Sequence, residues 1–137
     1  MSARFVPVPA SAIRERLAGA GFRLVPAGRG EEVYVRIHDR DPRYAVKVYS
    51  SIQRGQDEVR DRGADAIRVV AVSYGGQLGP AGEWLRPELA RGVFKAPRVH
   101  RSGSVEAVLD RMIDRAREAY GHINKCRRTA WSLEEED

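Results

Sequence analysis

The sequence predicts an α+β fold: an antiparallel sheet of about five strands, with an N-terminal helix and a long C-terminal helix packed on one face. Three observations carry this expectation. Strand-like runs follow one another through the middle of the chain, and helical periodicity is confined to its two ends. The stretch Glu31–Tyr49 (EEVYVRIHDRDPRYAVKVY) reads as two strands joined by a short turn. Helices alternating with strands would instead argue for a parallel sheet.

Each element has its own signal. Ser11, after Pro9, is a suitable N-cap for a helix over Ala12–Ala18 with Ile13 and Leu17 on one face, ended by Gly19 and Gly21. Phe22–Pro26 (FRLVP) reads as a short strand and Ala27–Gly30 as a turn. In the hairpin, side chains two apart share a face. Val33, Val35 and Ile37 therefore oppose Tyr34, Arg36 and His38, and Tyr44, Val46 and Val48 oppose Arg43, Ala45, Lys47 and Tyr49. Asp39-Arg40-Asp41-Pro42 makes the connection.

Ser51–Gly63 (SIQRGQDEVRDRG) is charged and reads as an exposed loop. Asp65–Tyr74 (DAIRVVAVSY) is the strongest strand signal, and its near-continuous apolar run predicts a central strand covered on both faces, with Arg68 the polar exception. A turn-rich insert, Gly75–Gly92, precedes a further strand over Val93–Arg101 (VFKAPRVHR), where Pro97 is tolerated at an edge or bulge. Ser104 then caps a long helix whose apolar stripe is Val105, Val108, Leu109, Met112, Ile113, Ala116 and Tyr120. Residues 1–124 form one α+β domain in this reading. Residues 125–137 form a tail that turns from basic (Lys125, Arg127, Arg128) to acidic (Glu134–Asp137).

At 137 residues, 42% hydrophobic and 31% charged, the composition is that of an ordinary globular chain. The net charge of +5 favours nucleic acid or another anionic partner. Nearly all the positive charge is arginine, since only Lys47, Lys95 and Lys125 are lysines. Arginine forks bidentately onto phosphate and stacks on bases, although a GC-rich genome also enriches it. The single cysteine, Cys126, excludes an intrachain disulfide and fits a reducing cytoplasm. No apolar leader and no membrane-spanning run is visible, so the expected setting is cytoplasmic, with no membrane partner.

Enzyme signatures are weak. GAGF and GRGEE lack the Lys and Ser/Thr of a phosphate-binding loop, no G-x-S-x-G elbow occurs, and His38, His100 and His122 have no clustered partner. A metal-dependent nuclease would place an acid and then an acid-x-Lys on adjacent strands. Asp39 and Asp41 do precede Lys47, but the position two before Lys47 is Ala45, which removes a ligand. Asp57, Glu58, Asp61 and Asp65 read as a solvated loop. No cofactor and no metal are expected.

Three segments, KVYSSI (Lys47–Ile52), RDRGADAIRVVAV (Arg60–Val72) and RVHRSGSVEAVLDRMIDRAREAYG (Arg98–Gly121), resemble a family of small uncharacterised bacterial and phage proteins. The resemblance covers roughly Tyr34 to Gly121. Members of that family often append a topoisomerase-type zinc ribbon, which implies work on DNA. This chain ends in Cys126 and an acidic run where the ribbon would stand, so any grip on DNA must come from the domain itself. The resemblance marks Lys47, Tyr49, Asp65, Arg68, Arg98, His100 and Arg101.

Cations mixed with flat rings on one sheet face suit a single strand, which needs positive groups for phosphates and aromatic faces for bases. A solvated sheet face carries the same residue types for its own reasons. The function expected is a non-enzymatic nucleic-acid-binding domain preferring single-stranded DNA, in phage or bacterial replication, recombination or repair. Its candidate residues are Tyr34, Arg36, His38, Arg43, Lys47, Tyr49, Arg68, Arg98, His100 and Arg101, with Phe94 as a further stacking ring. The face left open by the helices is expected to carry Tyr34, Arg36, His38, Lys47 and Tyr49. The alternative is a protein-interaction or self-assembly module, homo-oligomers included, that uses the basic sheet face and the acidic tail. A metal-dependent nuclease comes third.

Overall fold

The computed structural model describes residues 8–25, 31–53, 67–74, 90–97, 99 and 103–136. The elements are α1 (Ala10–Gly19), β1 (Arg23–Val25), β2 (Glu31–Ile37), β3 (Tyr44–Gln53), β4 (Ile67–Tyr74), β5 (Ala90–Lys95) and α2 (Val105–Glu136). The strands pair in chain order, each antiparallel to the next, as a five-stranded meander. Both helices pack on one face, giving the expected α+β architecture.

Local chemistry sets the helix ends. Pro9, with φ of −59°, serves as N-cap, and its carbonyl accepts from the N–H of Ala12 (3.1 Å) and Ile13 (3.3 Å). Ser11 therefore lies inside the first turn rather than capping it: a residue with φ already fixed starts the helix before the serine can. At the other end Gly21 takes φ of +89°, which an L side chain resists. Gly21 N–H donates to Ala18 O (3.1 Å) and Phe22 N–H to Leu17 O (2.9 Å), a Schellman closure that sets Phe22 beside Leu17 in the core. Ser104 caps α2 as expected, its Oγ accepting from the N–H of Ala107 at 3.1 Å.

The core under the helices joins Ile13 and Leu17 of α1, Val46 and Val48 of β3, and Val69 and Ala71 of β4. From α2 come Val108, Leu109, Met112, Ile113, Ala116, Ala119 and Ile123. The α2 stripe thus runs one turn further than Tyr120. The helix itself continues unbroken to Glu136, across the expected domain boundary at residue 124. Val93–Arg101 becomes two pieces: β5 ends at Lys95, and Val99 returns to bridge Ile67. Ser51–Gln53 belong to β3, not to a loop, while residues 54–66 and most of the 75–92 insert lie outside the described residues. Among the described residues no helix is long and apolar enough to cross a membrane.

β4 is covered on both faces, as its sequence predicts. Val70 and Val72 join Val25, Val33, Val35 and Ala45 in a second buried cluster on the face away from the helices. This overturns one expectation. β2 pairs with β3 through Val33↔Tyr49, Tyr34↔Val48, Val35↔Lys47 and Arg36↔Val46. Opposed residues share a face, so Tyr34, Arg36 and His38 lie on the helix side with Val46 and Val48, while Lys47 and Tyr49 lie on the other with Val33 and Val35. The expected single face carrying Tyr34, Arg36, His38, Lys47 and Tyr49 does not exist. Alternation gives each strand its period but not its phase against the neighbour, and a shift of one residue exchanges the faces.

Tyr34 is accordingly 3% exposed, far from any stacking surface. Its hydroxyl donates to Glu32 Oε1, and Arg14 of α1 grips the same carboxylate through Nε (2.9 Å) and Nη2. Burial tends to raise the Glu32 carboxyl, but the bonds from Arg14 and Tyr34 outweigh it and hold the group below its ordinary value. Burial, and then the bond to Glu32, pushes the Tyr34 hydroxyl up. Arg16 ties α1 to α2 through Glu106 (2.6 Å) and Asp110 (2.7 Å).

Urea denaturation checks both layers of this account. Met112→Ala should cost about 2–5 kcal/mol, because Met112 is fully buried between helix and sheet. Arg14→Ala should cost about 3 kcal/mol by leaving the Glu32 carboxylate buried without its cation. A loss below about 0.5 kcal/mol for the second would show that Tyr34 alone satisfies the carboxylate.

Candidate nucleic-acid interface

The expected site residues separate into two groups at different places. On the face away from the helices, β3 carries Lys47 and Tyr49, and the register Tyr49↔Arg68 sets Arg68 of β4 directly beside the ring. The Arg68 guanidinium carbon lies 4.9 Å and Lys47 Nζ 5.1 Å from the Tyr49 ring centroid. Both distances are within the reach of a cation–π contact. Tyr49 is half-buried against the second apolar cluster, and Arg68 is exposed. One edge of the ring thus packs on valines while two cations hold its orientation. The result is a fixed, partly accessible aromatic plate beside positive charge.

The second group lies at the β2–β3 turn, on the helix side. His38 N–H donates to Tyr44 O (2.9 Å), closing the hairpin. Its Nδ1 accepts from the backbone N–H of Arg40 and of Asp41, each at 3.1 Å. Nδ1 is thereby an acceptor, so Nε2 carries the hydrogen and donates to Asn124 Oδ1 at 2.8 Å. The imidazole stacks on Tyr120 of α2, centroids 5.1 Å apart and planes 18° from parallel. The Arg36 guanidinium carbon sits 4.6 Å from the same Tyr120 centroid. The Tyr120 hydroxyl donates to Asp39 Oδ2 at 3.1 Å. His38, 4% exposed, is therefore a fastener between turn and helix, not an open contact.

Asp41 anchors the far side of the turn. Its carboxylate accepts from the Arg43 N–H (3.2 Å), Nε (2.9 Å) and Nη2 (2.9 Å), and Arg127 Nε lies 3.5 Å away. The Arg43 side chain holds the Asp41 carboxyl below its ordinary value, against the opposing effect of burial. Arg43 is thus partnered, though its side chain is well exposed. Asp39 and Asp41, the acids of the nuclease reading, are bonded to Tyr120 and Arg43 respectively. Among the described residues no three His, Cys, Asp or Glu side chains come together as a metal site.

Two hollows flank this fastening. One of about 350 Å³ is lined by Phe22, Arg36, Ile113, Arg117, Tyr120 and Asn124, among others. The other, about 430 Å³, is lined by His38, Asp39, Arg40, Tyr120, Asn124, Arg127 and Arg128. They share Tyr120 and Asn124 as lining residues, and each also holds arginines.

Arg98, His100, Arg101 and Asp65 lie outside the described residues. Phe94 stacks on His122 at 4.8 Å and packs at the margin of the helix-side core, so it is not on the face with Tyr49. Sequence reading assigned Tyr120 to the core stripe and Arg127 and Arg128 to the tail, and gave Asn124 no role. Their common signal is the α2 period itself, which continues through 120, 124 and 127–128 and marks one face of an unbroken helix. Compared with known proteins, the chain matches no family model, no curated protein and no solved structure.

The two carboxylates give a pH dependence of stability. Glu32 and Asp41 are both held below their ordinary values, so their contribution is fully present above the ordinary carboxylate range, near pH 4, and lost as pH falls through their folded values. The share of the urea midpoint that these two carboxylates supply should hold above about pH 5 and fall below about pH 4. Asp41→Asn should flatten part of that fall; an unchanged acid limb in the variant would remove Asp41 from the account.

Proposed function

We propose that the protein is a non-enzymatic nucleic-acid-binding domain that prefers single strands, working in the cytoplasm on DNA in replication, recombination or repair. The observation that supports this reading best is the Tyr49 ring held beside Lys47 and Arg68 on the sheet face away from the helices. A single strand offers unpaired bases to such a plate, and a duplex does not. An incoming base competes with one of the two cations for a ring face, and the displaced cation then turns to the flanking phosphate. The +5 charge adds a sequence-independent attraction that salt weakens.

Fluorescence anisotropy with a labelled single-stranded oligonucleotide and a matching duplex, across a salt series, tests the reading. Tyr49→Ala should lose about 1–3 kcal/mol of single-strand affinity, while Tyr49→Phe should keep it because stacking needs the ring and not the hydroxyl. Arg68→Ala should lower the slope of log affinity against log salt by about one. A folded Tyr49→Ala protein that binds like the native chain would remove Tyr49 from the interface. Absence of binding at low salt would remove the reading itself.

A further inference from the structure

Given Tyr49 as a base platform, a reading on which this inference rests, we propose that the bound single strand crosses the sheet along three cations, Arg23, Lys47 and Lys95. Arg23 and Lys95 thereby become binding residues. Strand register builds the line. Arg23 of β1 stands opposite Val35 of β2, and Val35 opposite Lys47 of β3. Lys47 in turn stands opposite Val70 of β4, and Val70 opposite Lys95 of β5. Opposed residues share a face, so these five side chains cross all five strands in one line, on the side away from the helices. Cation and valine alternate along it. At about 4.8 Å between strands, successive cations fall about 10 Å apart and the line is about 19 Å long.

Both ends of the line are open to a ligand. Arg23 and Lys95 are exposed, and neither has an acidic partner among the described residues. The Lys95 stem passes over Gly92, its Cε 3.7 Å from where a Cβ would stand, so the glycine leaves it room. Val35 and Val70, between the cations, are only 1% and 8% exposed, so the line presents charge to solvent. A parallel line holds Val25, Val33, Tyr49 and Arg68. It places the ring and a fourth cation two residues along β3 and β4, about 7 Å to one side. No acid stands on either line.

This arrangement suits a nucleic-acid strand better than an acidic peptide. Two of the three cations are lysines, point charges that bind phosphate without a fixed approach, whereas carboxylates are best held by arginine forks. The cations lie to one side of the ring, as phosphates lie to one side of their bases. Phosphates can therefore follow the line while a base turns onto Tyr49. A stacked strand carries one phosphate per about 3.4 Å, so the line spans about six phosphates at that spacing and fewer in an extended strand. Sequence alternation could not show the line, because each cation is on a different strand and only register aligns them.

Anisotropy with labelled oligothymidylates of increasing length tests the proposal on the native chain, Arg23→Ala, Lys95→Ala and Arg117→Ala. Arg23 and Lys95 are exposed, so their variants should keep the native urea midpoint. Arg117, 80% exposed on α2, removes the same charge on the helix side of the molecule. Native affinity should rise steeply up to about six nucleotides and little beyond. Arg23→Ala and Lys95→Ala should each lower the slope of log affinity against log salt by about 0.7, and Arg117→Ala should leave it unchanged. A native slope in either sheet variant, beside a loss in Tyr49→Ala, would overturn the line and leave the Tyr49 reading standing. An equal fall in Arg117→Ala would reveal general charge attraction and overturn the line as well. A peptide of consecutive glutamates that displaces an oligonucleotide of the same length at equal concentration would assign the cations to an acidic peptide instead. A native chain that binds no oligonucleotide at low salt overturns both readings.

Discussion

The pairing of β2 with β3 decides which face each candidate side chain on these two strands occupies. With Val35 opposite Lys47, the odd-numbered residues of Val33–Ile37 and Ala45–Tyr49 turn away from the helices and the even-numbered ones turn toward them. Glu32 and Tyr34 thereby reach Arg14, Arg36 and His38 reach Tyr120, and Tyr49 reaches Arg68. A register moved by one residue would exchange the faces of one strand against the other, either turning Glu32 away from its arginine or burying Tyr49 beneath α2. The pairing is protected at both levels of chemistry. The valines of the two faces fill separate apolar clusters, and the turn is held by bonds that only this geometry supplies.

Much of the architecture can be read from the residues alone. The stripe from Val108 to Ala116 declares a helix packed on the sheet, and the run Val69–Val72 declares a strand with apolar layers above and below it. The same run carried a warning: a central strand covered on both sides leaves little room for a wide polar face. What alternation cannot supply is phase. Nothing local to Tyr34 distinguishes a ring facing solvent from one buried against Glu32, because the deciding partner, Arg14, is on α1 and distant in sequence. His38 has the same property. Its role depends on Asn124 and Tyr120, contributed by a helix that begins after every strand has been made.

The candidate residues divide by whether their bonds are already spent on the fold. Arg43 and His38 are committed to Asp41, Asn124 and the turn backbone, so replacing either would be felt first as stability. Tyr49 and Arg68 differ. Their contact joins two neighbouring strands that the main chain already pairs, so the fold does not depend on it. A surface contact of that kind can be exchanged for a ligand at little cost to the scaffold, which makes this end of the sheet the better place for recognition.

The order of elements has a consequence for synthesis. Each strand of the meander pairs with its chain neighbour, so the sheet can assemble as it leaves the ribosome. Its helix-side face cannot be sealed at that stage. Val46, Val48, Val69 and Ala71 wait for Val108, Met112 and Ile123, which are translated last of the core. For that interval the nascent sheet displays a bare apolar surface beside a completed hairpin. A growing chain stalled before α2 would be a substrate for chaperones and a seed for aggregation, and release of the final helix is the event that converts it into a stable protein.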